Sequence, residues 1–223
     1  KKDGGNTREY TPEMLIEQGN VALGNMQLEL AAEFFNRALN LSPDDTNIMD
    51  ALADVMIQLG EQEKALELLL RSTQSAPTVN PYKWFFLGQL QLEFDAVKCY
   101  RTGIQVLMSI INSEVDAEVQ ATTTKQVAKA YCSIAEIYLT DLCFEEDAEK
   151  VCEEAVAAAL QICPGSLDAM QTLASIRLSQ QRKSEAGDII TKVYSELMRI
   201  REIVSARTVV QEMSGAEEPA ELR

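Results

Sequence analysis

Residues 19–43 read GNVALGNMQLELAAEFFNRALNLSP, and this stretch decides the fold. Its small, bulky and proline positions, at intervals of 12, 4, 3 and 5 residues, are Gly19, Ala31, Phe35, Ala38 and Pro43. The same intervals return 34 residues later, at Ala53, Ala65, Leu69, Ser72 and Pro77. A period of this length predicts a stack of paired antiparallel helices. Such stacks are binding surfaces far more often than catalysts, so the sequence raises the question of a partner rather than of a reaction.

Two further units keep parts of this spacing. The fourth is marked by Ala135, Ala148, Cys152 and Ala155, and the fifth by Ala174, Ala186, Ile190 and Val193. A final helix at about 198–213 is expected to cap the open end, because a helical stack must cover its last apolar face. The predicted organisation is a disordered segment at 1–10, one helical-repeat domain at 11–213 and an acidic tail at 214–223.

The third unit is irregular. Gly88, Ala96, Tyr100 and Gly103 keep the intervals of 4 and 3, but Gly88 and Ala96 are separated by 8 residues where the other units have 12 or 13. Four residues are therefore missing where the chain should turn between two helices. The spacing predicts that a loop is absent near Leu92–Asp95 and that the remaining chain is too short to reverse its direction.

Over about residues 11–195 the chain resembles the tetratricopeptide repeat (TPR) family, and the matches at 19–43 and 53–77 carry the resemblance. The resemblance implies an all-α fold, a right-handed α-solenoid of about five helical hairpins with a C-terminal capping helix. It also implies that the first helix of each hairpin lines a concave groove that holds a peptide or a helix. Mapped onto this chain, the partner-binding residues are Glu13, Glu17, Asn20, Asp50, Asp54, Tyr82, Phe85, Gln89, Glu93 and Glu136.

The chain is strongly acidic, with a net charge of −15. Most of this charge lies in two blocks, because residues 11–80 carry 11 acids and 3 bases and residues 114–168 carry 12 acids and 3 bases. Such a field repels nucleic acid and anionic membranes and attracts basic partners. We therefore expect no direct contact with nucleic acid and none with a membrane, and the chain has no apolar run of the length that a membrane-spanning helix needs.

The expected groove has the opposite charge from that of the TPR domains that bind the acidic tails of heat-shock chaperones. Those domains use cations, whereas Asp50 and Asp54 stand here one helical turn apart on one predicted face. A client rich in Lys and Arg is favoured, with aromatic side chains as apolar anchors; the alternative is that the acids form an ordinary solvated face. Trp84 is expected to pack between hairpins rather than to face the groove.

Catalysis and metal binding find little support in the sequence. The chain contains no histidine, so it has no Ser-His or Cys-His pair, and none of its five cysteines has Cys-x-x-Cys spacing. No Gly-rich phosphate loop with its Lys is present. We therefore predict that the protein is not an enzyme and has no cofactor and no metal. Its thiols are expected to be reduced, as in a cytosolic or nuclear protein.

An acidic groove fits the needs of newly made ribosomal proteins, whose basic extensions aggregate or bind nucleic acid nonspecifically before assembly. The acidity, the repeat number and the irregular third unit also resemble those of dedicated assembly chaperones of ribosomal proteins. That resemblance implies capture of a basic loop or tail, an import factor that joins through the client, and a place in both cytoplasm and nucleus. The alternative interpretation is a TPR adaptor or scaffold subunit of a larger complex.

Overall fold

The computed structural model describes residues 10–112 and 116–214, and it describes side chains as far as Ala206. The described residues form ten α-helices joined by short connections, and they contain no strand. This confirms the all-α prediction. The disorder predicted for 1–10 and for the tail at 214–223 falls on residues outside the described ones, except for Tyr10 and Ser214. The helices are α1 (Pro12–Gly24), α2 (Leu28–Leu41), α3 (Thr46–Gln58), α4 (Gln62–Ser75), α5 (Lys83–Leu90), α6 (Glu93–Ile111), α7 (Ala117–Leu139), α8 (Ala148–Ile162), α9 (Leu167–Ser179) and α10 (Lys183–Ser214).

The chain divides into two compact units, residues 1–123 and 124–223, and the boundary falls within α7. In the first unit α1 packs on α2, α3 on α4 and α5 on α6, and the successive pairs meet through α2 with α3 and α4 with α5. In the second unit α9 packs on both α8 and α10. The first, second, third and fifth of the predicted helical pairs are therefore present.

Local sequence explains where these helices begin and end. Thr11 caps α1 by accepting a hydrogen bond on its hydroxyl from the Met14 amide at 3.3 Å, and Pro12 occupies the first turn. Gly60 adopts a φ of 79°, the left-handed conformation that glycine tolerates after a helix. The cap of α3 is Asp45, which accepts from the Asn47 amide at 2.9 Å. The carboxylate lies directly before the first helical residue, so it reaches amides that have no partner within the helix.

The small positions of the repeat are sites of close helix contact. A Cβ atom added to Gly19 would lie 2.7 Å from the Phe35 ring, and one added to Gly88 would lie 2.9 Å from the Tyr100 ring. A Cβ on Gly103 would lie 2.5 Å from the Phe85 ring. The alternation of small and bulky residues therefore lets an aromatic ring of one helix pack directly on the backbone of its partner.

The third hairpin reverses direction with the residues it has, so the prediction of too little chain is wrong. Helix α5 has 8 residues where α3 has 13, and α6 begins after only Gln91 and Leu92. Glu93 takes a φ of 48°, which tightens the turn, and α5 and α6 pack together. Three of the four missing residues are lost from the end of the first helix and one from the connection, so the shortening falls mainly on α5 and not on the turn at Leu92–Asp95.

The final helix predicted at about 198–213 is helical, but it is not a separate element. It continues α10, which runs for 32 residues from Lys183 without a break. No glycine or proline interrupts residues 188–214, so nothing in the local sequence stops the helix between the fifth hairpin and its end.

Candidate binding surface

Helix α1 presents the predicted polar residues of the first hairpin to solvent. Glu13, Glu17 and Asn20 are exposed, and together with Ile16 and Val21 they line an open hollow of about 520 Å³. Hydrogen bonds from its own backbone amide and from Thr11 lower the pKa of Glu13 below its ordinary value. Its carboxylate is therefore charged at neutral pH, so this face combines negative charge with aliphatic surface.

Asp50 is not a groove residue, and its prediction as a partner-binding residue is wrong. Its side chain is buried, and one carboxylate oxygen accepts from the Ser72 hydroxyl at 2.5 Å. The other oxygen accepts from the Asn80 amide at 2.9 Å and lies 4.0 Å from Nζ of Lys83. Lys83, itself fully buried, donates to the Ser72 carbonyl at 3.1 Å and to its hydroxyl at 3.0 Å. The carboxylate is occupied inside the protein, so it is not available to a client.

Burial affects both charged partners in this cluster. It raises the pKa of Asp50, against the hydrogen bonds from Ser72 and Asn80 and the charge of Lys83. It also lowers the pKa of Lys83, against the charge of Asp50. Each charge is thus costly alone and tolerated because the other is present.

Phe85 is also a core residue, so its prediction as a groove anchor is wrong. Its side chain is 8% exposed, and its ring stacks on that of Tyr100 with centroids 6.0 Å apart. The same ring covers Gly103, where no side chain competes for the space. Trp84 is half-buried and donates its indole N–H to the Pro77 carbonyl at 2.8 Å, in agreement with a place between hairpins.

The other predicted residues are at least partly accessible. Asp54 and Tyr82 are half-buried, whereas Gln89 and Glu93 are exposed. Glu136 belongs to the second unit, where it is exposed and accepts from the Thr172 hydroxyl at 3.5 Å. A role in partner binding stays a prediction for these five residues and for Glu13, Glu17 and Asn20.

Two features of the site were missed in the sequence. Ser72 takes the small repeat position that Ala38 occupies one repeat earlier, and Lys83 takes the place of the apolar Ile48. A hydroxyl and an ammonium at apolar repeat positions are the signal that could have revealed the buried cluster. In the second unit, Arg177 forms an ion pair with Glu153. The repeat spacing gives no signal that these two side chains are in contact.

The cysteines of the chain are free, and most of them are at least partly buried. Cys99, Cys132 and Cys152 are buried, and none of the five cysteines forms a disulfide. Burial raises the pKa of the Cys132 and Cys152 thiols to about 11, which keeps them protonated. Within residues 10–112 and 116–214, no group of Cys, Asp and Glu side chains could hold a metal ion, and none of the helices there is long and apolar enough to cross a membrane.

Comparison with solved structures defines the class of protein. A structure titled "Assembly Chaperone of RpL4 (Acl4) (Residues 1-338)" superposes with a TM-score of 0.73 at 23% identity, over 83% of this chain and 75% of that one. The crystal structure of MamA matches with a TM-score of 0.55 at 15% identity, over 95% of this chain and 98% of that one. The TPR protein YrrB matches with a TM-score of 0.52 at 14% identity, over 82% and 84%. By fold, the chain is a TPR-type protein built from helical hairpins.

Within this class, the chain resembles curated proteins named "Probable assembly chaperone of rpl4". The protein from Schizosaccharomyces pombe is 34% identical over 169 residues, which cover 73% of this chain and 49% of that protein. The protein from Emericella nidulans is 27% identical over 196 residues, which cover 81% of this chain and 48% of that protein. The chain thus spans about half the length of the curated relatives it matches. No protein-family model matches the sequence.

Proposed function

We propose that this chain is a protein-binding chaperone that captures a basic segment of newly made ribosomal protein L4 and shields it until ribosome assembly. The observation that carries the proposal is the 34% identity to a protein named as a probable assembly chaperone of rpl4. The fold supports it, because stacked TPR hairpins offer a long surface to an extended segment. The chain's own chemistry points to binding rather than catalysis.

The acidic face of the first unit supports the capture of basic residues. Among the described residues, Glu13, Glu17 and Asp54 form no salt bridge, so their carboxylates are available to Lys and Arg of a client. Exposed ion pairs contribute only about 0.2–1 kcal/mol each, so several must act together with apolar contacts. Ile16, and Tyr82 at the third hairpin, can supply such contacts to aliphatic stems of basic side chains.

The proposed function has further elements, which concern release, transport and direct contacts. Release occurs when ribosomal RNA competes for the cations of the client. An import factor joins through the client and not through the chaperone, so the complex moves between cytoplasm and nucleus. The chain itself contacts neither nucleic acid nor a membrane, requires no cofactor and is not an enzyme.

An adaptor or scaffold role is the second candidate, and α10 is the observation that favours it. Several apolar side chains of this helix are between 41% and 64% exposed: Ile190, Tyr194, Leu197, Ile200, Ile203 and Val204. Exposed apolar surface of this kind is typical of protein contacts. A scaffold of this type would bind its neighbours through apolar contacts, which respond little to salt.

Charge substitutions in two matched sets test the proposal. The groove set is Glu13→Lys, Glu17→Lys and Asp54→Asn, and the control set on α2 and α4 is Glu29→Lys, Glu33→Lys and Glu67→Gln. Both sets change the net charge equally, and all control residues are exposed. We expect the groove set to weaken binding of full-length rpl4 by about 30-fold or more, since about 2 kcal/mol is lost from three contacts, while the control set changes it little.

Binding is measured by titration calorimetry on variants with unchanged thermal unfolding. Equal losses in the two sets would show that overall charge, and not this face, holds the client. Retained binding in the groove set would exclude the acidic groove and favour the scaffold. A client other than rpl4, found by capture from cell extract, would overturn the assignment of the partner.

A further inference from the structure

Two successive joints between hairpins use the same repeat positions with opposite chemistry. The first joint, where α1 and α2 meet α3, has Ile16, Ala38 and Ile48 at these positions. The second joint, where α3 and α4 meet α5, has Asp50, Ser72 and Lys83. The spacings between equivalent residues are 34, 34 and 35, the last because Ser72 and Lys83 are 11 residues apart whereas Ala38 and Ile48 are 10 apart. Three apolar residues in the first joint are thus replaced by three hydrogen-bonded residues in the second.

The second joint is closed by directional bonds. The Ser72 hydroxyl donates to Asp50 at 2.5 Å while accepting from Lys83 at 3.0 Å, so it connects the two charged groups. Asn80, at the connection between α4 and α5, donates to the second carboxylate oxygen at 2.9 Å. Three helices and one connection therefore meet at a single buried ion pair. Within the described residues, no buried side-chain nitrogen or oxygen lacks a hydrogen-bond partner.

A buried ion pair is not the most stable way to fill such a space. Replacing one by apolar residues of similar volume is often neutral or stabilising, because the cost of removing two charges from water disappears. What the ion pair supplies is orientation, since hydrogen bonds restrict both distance and angle whereas apolar contacts can slide. The first joint shows that this chain can build the same contact from apolar residues alone.

We propose that Lys83, together with Asp50, is a positioning residue that fixes the angle of α5 against α3 and α4. The residues it positions are Asp54, one turn after Asp50, and Tyr82, directly before Lys83. Both are half-buried, so part of each side chain remains accessible. The ion pair thereby sets the separation between the Asp54 carboxylate and the Tyr82 ring, two groups that are predicted to contact the client. The purpose of this separation rests on the proposed chaperone function, while the positioning itself does not.

The test replaces the polar residues of the second joint by the apolar residues of the first. The triple variant Asp50→Ile, Ser72→Ala and Lys83→Ile introduces the residues that the chain itself uses one repeat earlier. We expect its midpoint of thermal unfolding to lie within about 3 °C of the parent chain or above it, because the desolvation cost is removed. We expect the amides of α5 to exchange with deuterium at least about tenfold faster, because the helix is no longer held by directional bonds.

The same variant is then titrated with rpl4. A loss of affinity of about tenfold or more at unchanged thermal stability is the expected result, since a residue that only stabilises the fold would change both together. Unchanged exchange in α5 overturns the inference, whatever the affinity. If the parent chain itself does not bind rpl4, the proposed function is wrong, and the exchange experiment alone decides the positioning role.

A second variant covers the case in which the triple variant does not fold. Ser72→Ala keeps both charges in place, but it removes the hydroxyl that donates to Asp50 and accepts from Lys83. We expect faster exchange in α5 than in the parent chain, with α1 and α2 unaffected as an internal reference. Exchange in α5 equal to that of the parent chain would contradict the positioning role of the ion pair.

Discussion

The first and second joints of the N-terminal unit show how one repeat pattern can hold two kinds of contact. In the first, Ile48 packs with Leu15 and Ala38 in a small apolar cluster. In the second, the equivalent place is taken by Lys83, which is fully buried and bonded to Ser72. The spacing that builds the stack determines where helices touch, but it leaves the chemistry of each contact open. Under the positioning proposal, directional bonds fix the second joint, whereas non-directional apolar contacts hold the first.

Substitutions in the two joints should also destabilise the protein by different amounts. An apolar contact loses stability in proportion to the atoms removed and the cavity left behind. A buried ion pair loses much more stability when one partner is removed, because the remaining charge is left unpaired and out of water. Substitutions at equivalent positions therefore distinguish the two joints.

The largest effect is expected for Lys83→Met. It leaves the Asp50 carboxylate buried without its cation, so we expect a loss of about 3–5 kcal/mol in the free energy of unfolding. Ile48→Val, at the equivalent place of the first joint, should lose only about 0.5–1.5 kcal/mol. Urea denaturation of the two variants measures both values. Losses of equal size would remove the distinction between the joints.

A smaller effect is expected for Gly103→Ala, which probes the repeat position that Ala38 and Ser72 fill in the two joints. The added methyl would lie 2.5 Å from the Phe85 ring and 3.0 Å from Cβ of Trp84, so we expect a net loss of about 1–2 kcal/mol. Gly24→Ala is the matched control, since its methyl would meet nothing within 4 Å. That variant should be neutral or slightly more stable, and thermal unfolding compares the two. An equally tolerated Gly103→Ala would contradict the close contact.

The smallest effect is expected at a half-exposed ion pair in the second unit. Hydrogen bonding from Arg177 lowers the pKa of Glu153, so the folded protein favours the ionised carboxylate. The stability from this pair is present above the unfolded pKa, near 4.5, and is lost as the pH falls through the lower folded value. We expect Glu153→Gln to cost roughly 0.2–1 kcal/mol at pH 7 and to give a shallower fall of the unfolding midpoint between about pH 5 and 3. An unchanged pH profile would show that the pair contributes nothing.

The sequence predicted the fold well because its signals are local and repeated. The bounds of α1 and α2 follow from a cap, a proline and the period of apolar residues, and Gly60 marks a left-handed turn. The third hairpin was misread because the spacing shows how many residues are missing but not which element loses them. Because α5 is short and Glu93 adopts a left-handed backbone conformation, the chain reverses its direction without additional residues.

The candidate site was only partly predictable, for a physical reason. Exposure of Glu13, Glu17 and Asn20 follows from their face of a terminal helix, and the sequence identifies that face. The burial of Asp50 depends on Lys83, which is 33 residues away and belongs to another hairpin. The pattern of one helix cannot reveal that its carboxylate is paired with a cation from another helix. Phe85 was misplaced in the same way, because Gly103 opens the space that receives its ring.

The central claim, that charge holds the client on an acidic TPR surface, is tested most directly by the salt dependence of binding. The measurement is the affinity of the chain for full-length rpl4 between about 0.1 M and 1 M salt, where the Debye length falls from about 10 Å to about 3 Å. We predict that the affinity falls by about 100-fold or more over this range, since several exposed carboxylates contribute to binding. A change of less than about threefold, as expected for an apolar interface, would contradict the account.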